Sequence, residues 1–75
     1  MNRDSNILII IGEAIKKRRL ELGYTQIQLS EKTHVHRNFI SYVEQGKRST
    51  TITTLNQILE ALDTDIFTFM GALSK

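Results

Sequence analysis

The sequence predicts an all-α fold, a compact bundle of four to five helices in one small domain. Its 75 residues contain no proline, no cysteine and only four glycines, which argues against a loop-rich or all-β fold. Apolar residues recur at helical spacing, and polar residues able to cap helices separate these stretches. A chain of this size buries only about 60% of its unfolded surface. Its core is therefore thin, and we expect oligomerisation to help stabilise it.

The first predicted helix begins near Ser5 or Asn6, after a loose polar start, and ends at Gly23. Apolar residues in this stretch recur every three or four positions, as in a buried stripe. The stripe consists of Ile7, Ile11 and Ile15, with Leu8 and Ala14 beside it. Because isoleucine is β-branched, a short strand over residues 7–11 is the alternative.

The second predicted helix is short and covers about residues 26–32. Thr25 can cap it, and Gln28 completes a capping box. We expect this helix to bury Ile27 and Leu29.

A third helix, over about residues 36–45, begins after a connection of only three residues, 33–35. Two helices joined so closely cross steeply, so the later one protrudes. Ile40 and Val43 would face inward, with Phe39 at the edge of the core.

A fourth helix is predicted over about residues 52–62, capped by Thr51, and the apolar tail after it is either a fifth helix capped by Asp65 or a strand. The stripe of the fourth helix is Ile52, Leu55, Ile58, Leu59 and Leu62. Large apolar residues near the end of so small a chain favour a dimer contact. We therefore expect residues 6–62 to form the helical core and residues 63–75 a dimerisation segment. The expected interface residues are Ile66, Phe67, Phe69, Met70 and Leu73.

Charge is unevenly distributed along the chain. The net charge is only +2, but residues 1–48 carry nine basic and five acidic side chains, whereas residues 49–75 carry one and three. The asymmetry points weakly to a polyanion-binding surface in the first part, with an ordinary solvated surface as the alternative.

No set of residues predicts catalysis, a cofactor or a metal site. His34 and His36 lack cysteine or carboxylate partners nearby, and no nucleophile–base pair is evident. The longest apolar run, residues 7–11, is far shorter than the roughly 20 residues of a membrane span, and the start of the chain lacks the plan of a signal peptide. We therefore expect a cytoplasmic protein that is not an enzyme and does not bind membranes.

The outer face of the third helix carries polar side chains and no acidic one. It consists of Arg37, Asn38, Ser41, Tyr42 and Gln45. Arginine can donate two hydrogen bonds to guanine, and asparagine can pair with adenine in the same way. This face therefore predicts insertion into the major groove of double-stranded DNA. An ordinary surface role is the alternative, above all for Tyr42.

Sequence blocks on both sides of the three-residue connection form one continuous pattern. They are Ile11-Gly12, Arg19, Gly23-Tyr24-Thr25-Gln26, Leu29-Ser30, Val35, Phe39-Ile40-Ser41 and 43–48, followed by the apolar spacing of 52–62. The pattern resembles the lambda-repressor/Cro-like (XRE) helix-turn-helix family without a gap from Ile11 to Leu62. Its most specific parts are the Thr-Gln-x-x-Leu and Ile-Ser-x-Val-Glu-x-Gly-Lys-Arg blocks.

The resemblance implies roles for individual residues. It implies a partly buried ion pair between Arg19 and Glu44, base reading by the third helix, and backbone contacts before and after it. The DNA-binding residues implied are Thr25, Gln26, His36, Arg37, Asn38, Ser41, Tyr42, Lys47 and Arg48. Four positions depart from the family pattern: Arg18 replaces a core leucine, Ser30 an alanine, His34 the turn glycine and His36 a serine cap. We expect a positive φ at His34 and a weakened cap at His36.

The resemblance also implies a function. It predicts a homodimeric transcriptional regulator of a bacterium or phage, associated with the nucleoid, that binds a palindromic operator. The short controller proteins of restriction–modification systems are most similar, since they share the Arg-x-aromatic-Ile-Ser block. Alternatives are an antitoxin partnered with a HipA-type toxin, a prophage repressor, and a protein-interaction module that uses the same scaffold without DNA.

Overall fold

The computed structural model describes residues 3–73, and within that range every regular element is a helix. The five helices are α1 (Arg3–Glu21), α2 (Gln26–Thr33), α3 (Arg37–Glu44), α4 (Ile52–Ala61) and α5 (Ile66–Leu73). The all-α, five-helix prediction is confirmed. Both strand alternatives, for residues 7–11 and for the tail, are wrong.

The side chains at the centre of the bundle come from all five helices. The core consists of Ile15, Leu29, Ile40, Val43, Leu55, Ile58, Leu59, Leu62 and Phe69. The stripes predicted for α3 and the middle of α4 are therefore confirmed.

The sequence assigned three isoleucines to the core that the structure exposes: Ile7, Ile27 and Ile52. Apolar spacing identifies the face of a helix on which a residue lies, but not whether another helix covers that face. Each of the three stands in the first turns of its helix, where neighbouring elements do not cover it. Helix α1 also begins earlier than predicted, at Arg3, since no glycine or proline precedes Ser5 to stop it.

The predicted helix caps form as expected. The Thr25 hydroxyl accepts a hydrogen bond from the Gln28 N–H at 3.0 Å, and the Gln28 side chain accepts one from the Thr25 N–H at 2.9 Å, which completes the capping box. Thr51 accepts from the Thr54 N–H at 3.1 Å at the start of α4. The capping residues therefore fix where the short helices begin.

Two glycines permit the close approach of α1 to α3. A Cβ atom at Gly12 would meet the Val43 carbonyl oxygen and lie 2.6 Å from that of Glu44. Gly46 has a φ of +74°, and a Cβ there would lie 2.9 Å from the Ile9 Cα. Backbone sits against backbone at both positions, which sets how closely α3 lies against α1.

Arg18, which replaces a leucine of the family pattern, bonds to the end of α4. Its Nε donates to the Leu62 carbonyl oxygen at 2.9 Å, across 44 residues of chain. A helix leaves its last carbonyl groups without partners, and a basic side chain there satisfies one of them. Arg18 therefore replaces apolar packing with a hydrogen bond between α1 and α4.

Candidate nucleic-acid interface

The joint between α2 and α3 is held by hydrogen bonds at each residue. His34 adopts the left-handed conformation, with φ of 61°, and its N–H donates to the Ser30 carbonyl at 2.9 Å. The Thr33 hydroxyl donates to the Leu29 carbonyl at 2.9 Å and accepts from the Val35 N–H at 3.1 Å. The predicted positive φ at His34 is confirmed, and the angle between α2 and α3 is fixed by this turn.

Helix α3 is capped by an imidazole ring. His36 Nδ1 accepts a hydrogen bond from the Asn38 N–H at 3.0 Å. The ring that replaces the usual serine therefore caps the helix, although it stands at the exposed surface. Because the Nδ1 lone pair is engaged, the ring proton lies on Nε2, which can donate to an incoming acceptor.

The exposed face of α3 presents the side chains that the sequence placed there. Arg37, Asn38 and Tyr42 are exposed, and Ser41 is half-buried. The Gln45 amide donates to the Ser41 hydroxyl at 2.8 Å, so these two polar groups are paired along the helix. The acidic residue of α3, Glu44, is buried, so no carboxylate is exposed to a polyanion on this face.

An open groove runs alongside this face, between α3, the end of α1 and the start of α2. Its walls bring the start of α2 next to the start of α3, so the residues predicted at both helix starts share one surface. The groove is lined by Arg19, Leu20, Gly23, Tyr24, Thr25, Gln26, Ile27, Arg37, Asn38 and Ser41. The exposed Ile27 is one of its walls, which explains why that side chain is not in the core.

A buried ion pair ties three helices together beneath the groove. Arg19 donates from Nε to Glu44 Oε2 at 2.7 Å and from Nη2 to Glu44 Oε1 at 3.0 Å, and both side chains are buried. The Gln26 amide adds a hydrogen bond to Glu44 Oε1 at 3.1 Å, and Arg19 Nη1 donates to the Tyr24 carbonyl at 2.8 Å. The ion pair that the family resemblance implied is confirmed, and it fixes Gln26 as well.

Basic residues follow α3. Lys47 and Arg48 are exposed, and the Lys47 N–H donates to the Tyr42 carbonyl at 2.9 Å. The Arg48 guanidinium lies over the Phe39 ring, 5.7 Å from its centroid. Helical periodicity could not indicate this contact, because the nine-residue spacing from Phe39 to Arg48 crosses the turn at Gly46.

The expected dimer residues on α5 divide into two groups. Phe69 is buried in the core of its own chain, at 7% exposure, and Ile66 and Leu73 pack against that core. Phe67 and Met70 are 85% and 43% exposed. Placing Phe69 in an interface was therefore an incorrect expectation, because helical periodicity puts it on the inner face of α5 and Phe67 on the outer one.

The carboxyl group of Asp65 has a shifted pKa. Hydrogen bonds from the Thr68 backbone N–H first, and also from its hydroxyl, hold the pKa of Asp65 below its usual value. Asp65 thus caps α5, as the sequence predicted.

Within residues 3–73 the structure contains no group of three or more histidine and acidic residues placed to hold a metal ion. Across the same part of the chain, no helix is long and apolar enough to cross a membrane.

A family model described as helix-turn-helix matches residues 15–69, and the chain belongs to this family. The immunity repressor protein of Bacillus phage phi105 is 30% identical over 61 residues, which is 81% of this chain and 42% of the repressor. The chain thus spans about two-fifths of the length of that relative.

Solved structures of the restriction–modification controller protein C.Esp1396I are similar over almost the whole chain. The wild-type protein is 35% identical with a TM-score of 0.83, and the alignment covers 91% of this chain and 90% of that one. A tetramer of the same protein with its natural 35-base-pair operator gives the same values. The complex with a 25-base-pair operator site gives 35% identity, a TM-score of 0.82 and coverage of 91% and 90%. The family and fold predicted from the sequence are confirmed.

Proposed function

We propose that this chain is a sequence-specific DNA-binding regulator of transcription that binds a palindromic operator as a homodimer. The observation that carries the proposal is the exposed face of α3, where Arg37, Asn38 and Tyr42 project without an opposing carboxylate. An α-helix fits the major groove, and arginine and asparagine are side chains that read base edges there. Helix α3 is therefore the recognition helix of the proposal.

Contacts to the DNA backbone would come from both ends of the recognition helix. At its start, the Nε2–H of His36 and the side chain of Gln26 can donate to phosphate oxygens. After its end, Lys47 and Arg48 supply positive charge. The Thr25 hydroxyl oxygen accepts the cap hydrogen bond of α2, so its O–H can still donate to a phosphate oxygen.

The homodimer is supported by exposed apolar side chains on α4 and α5. Asn56 Oδ1 accepts from the Ile66 N–H at 3.2 Å, which joins α4 to the start of α5. Ile52 lies one turn before Asn56 on α4 and is 72% exposed. Together with Phe67 and Met70 it gives an apolar surface that a second copy would cover, and residues 63–75 are the proposed dimerisation segment.

Among regulators, a restriction–modification controller is the class that we propose. Controller structures match this chain over about nine-tenths of both chains, and structures of C.Esp1396I include operator complexes. The regulator would act at the bacterial nucleoid in the cytoplasm, by occupying DNA rather than by catalysis. Its similarity to a phage repressor also fits transcriptional control.

Selection from a pool of random DNA duplexes, followed by gel-shift titration, tests the proposal. We expect enrichment of a palindromic sequence whose affinity falls steeply with salt. Replacing Arg37 by alanine should cost about 1–3 kcal/mol, concentrated at one operator position in each half-site. Lys32→Ala is the matched control, because it removes one exposed positive charge from the far end of α2 and should change affinity little.

If selection enriched no sequence above non-specific binding, the chain would not be a sequence-specific regulator. A protein-interaction module would then be favoured. Equal losses for Arg37→Ala and Lys32→Ala would show that charge alone, not the α3 face, drives binding.

A further inference from the structure

The guanidinium of Arg48, at the end of a long flexible side chain, lies over the ring of Phe39, which the core holds in place. Phe39 is half-buried and packs against the hydrophobic core, so the fold determines where its ring lies. Arg48 is exposed in the segment after α3, and its guanidinium carbon is 5.7 Å from the ring centroid. That distance lies within the range of cation–π attraction. The ring therefore restricts the positions that the Arg48 head group occupies.

Phe39 and Arg37 lie on opposite margins of the proposed DNA-reading face. With 100° of rotation per residue, the face centred on Asn38 and Tyr42 has Arg37 on one side and Phe39 on the other. Arg37 borders the groove shared with α1 and α2. Arg48, held by Phe39, is at the margin away from that groove, so a guanidinium group stands on each side of the face.

We propose that Phe39 is a positioning residue, which holds the Arg48 guanidinium where its N–H groups meet phosphate oxygens of bound DNA. The inference rests on the proposed DNA-binding function. Attraction to the ring uses the charge of the guanidinium and none of its N–H groups as hydrogen-bond donors. Among the described residues Arg48 donates no hydrogen bond, so those donors remain available. A guanidinium positioned before binding loses less conformational entropy when it binds a phosphate.

Lys47 provides a comparison within the same segment. It is also exposed and positively charged, and it stands next to Arg48, but no aromatic ring lies beneath its ammonium group. Its contribution to binding should depend on charge and not on Phe39. Any general disturbance of α3 caused by altering Phe39 would affect Lys47 and Arg48 alike.

A double-mutant cycle tests the proposal. The affinity of wild-type protein, Phe39→Leu, Arg48→Ala and the double variant is measured by fluorescence anisotropy on the selected operator duplex, over a range of salt concentrations. Leucine keeps an apolar side chain at the core edge but removes the aromatic face. A second cycle pairs Phe39→Leu with Lys47→Ala. Thermal unfolding of each variant verifies that it is folded at the temperature of the titration.

We expect Arg48→Ala to weaken binding about tenfold, as loss of a charged hydrogen bond would. It should also reduce the slope of log affinity against log salt by about one. Phe39→Leu should weaken binding about two- to fivefold with little change of slope, because the charge remains. In the Arg48→Ala variant, adding Phe39→Leu should weaken binding almost no further. In the Lys47→Ala variant, Phe39→Leu should weaken binding as much as it does in the wild-type protein.

If the loss of affinity in the double variant equalled the product of the two single losses, the proposal would be overturned. The DNA-binding function would still stand. Equal coupling of Phe39 to Lys47 and to Arg48 would also overturn it, since the ring would then act on the whole segment. If the wild-type chain bound no duplex, the proposed function itself would fail.

Discussion

Arg19 and Glu44 connect the stability of this fold to its proposed DNA surface. Their two hydrogen bonds, at 2.7 and 3.0 Å, are buried, and Gln26 bonds to the same carboxylate. A buried charge is tolerable only while its partner is present. The pair therefore fixes the orientation of α1 against α3, and with it the position of Gln26 beside the recognition helix.

Replacing Glu44 by glutamine should strongly destabilise the fold. The substitution leaves the Arg19 guanidinium buried without a counter-charge, so we expect a loss of about 3–5 kcal/mol in the free energy of unfolding, measured in urea. Replacing both residues, as Arg19→Met with Glu44→Met, should cost less than the single change, because no lone charge stays buried. A single substitution that costs under about 1 kcal/mol would show that the pair is not a structural link.

Some residue roles were predictable from sequence and others were not. The Arg19–Glu44 pair could be inferred because the family that this chain resembles has an ion pair at these positions. The contact of Arg18 with the Leu62 carbonyl could not, since it depends on where α4 ends in space relative to α1. The burial of Phe69 and exposure of Phe67 could have been inferred once the tail was known to be a helix rather than a strand.

At the level of the helices, short elements depend on their caps. Helices α2, α3 and α5 each have only eight residues, a length at which an isolated helix is unstable in water. The sequence predicted the caps of α2 and α4 because Thr25 and Thr51 are good capping residues. It underestimated His36, because an imidazole nitrogen can accept the same hydrogen bond as a serine hydroxyl.

Removing the His36 cap should therefore destabilise the recognition helix. His36→Ala is expected to lower the free energy of unfolding by about 1 kcal/mol, measured by denaturant unfolding, because the Asn38 N–H loses its acceptor. His36→Ser should restore most of that loss, since a hydroxyl can take over the hydrogen bond. An alanine variant as stable as the serine variant would contradict the capping role.

Acid should weaken the start of α5 before it affects α4. Because hydrogen bonds lower the pKa of Asp65 in the folded chain, its cap contributes fully above the unfolded pKa, near pH 4, and is lost as pH falls through the folded pKa. Amide hydrogen exchange at Thr68, after correction for the pH dependence of the intrinsic exchange rate, should therefore show less protection under acid. Protection at Thr54, capped by the neutral Thr51, is the internal control.

Asp65→Asn should remove that pH dependence, because the amide oxygen still caps the helix but does not titrate. Identical acid sensitivity in the asparagine variant would assign the effect to another group.

The dimensions of one chain limit how much of a DNA site it can contact. The chain measures 33 × 24 × 22 Å and carries one helix-turn-helix. Recognition of two half-sites in successive major grooves places recognition helices about 34 Å apart. One copy is therefore too small to fill both grooves, and the exposed Ile52, Phe67 and Met70 are the side chains that we propose a second copy covers.

Replacing Phe67 by glutamate should produce a folded monomer. Phe67 is 85% exposed, so the change removes no core contact but places a charge in the proposed interface. Sedimentation velocity should show a dimer for the wild-type chain and a monomer for the variant, with nearly unchanged thermal unfolding of the monomeric unit. Phe69→Ala is the contrasting variant. Loss of a buried phenylalanine should lower the free energy of unfolding by about 3–5 kcal/mol. A wild-type chain that remains monomeric at high micromolar concentration would contradict the dimer.

The helices could be predicted from the sequence more readily than which of their apolar residues would stay exposed. Apolar periodicity located the helices, and the charge difference between residues 1–48 and 49–75 agrees with a polar recognition surface on one part and an apolar one on the other. Periodicity could not show that Ile27 would border the groove, nor that Ile52 would be left uncovered, because both depend on how the helices are arranged around each other.

Methylation interference on the selected operator shows whether the outer face of α3 enters the major groove. Dimethyl sulfate methylates guanine N7 in the major groove and adenine N3 in the minor groove. If α3 enters the major groove, guanine N7 methylation should block binding at two symmetric positions separated by about one helical turn. Arg37→Ala should abolish the interference at one guanine of each half-site. Interference confined to adenine N3, or none at guanine, would show that α3 does not read the major groove.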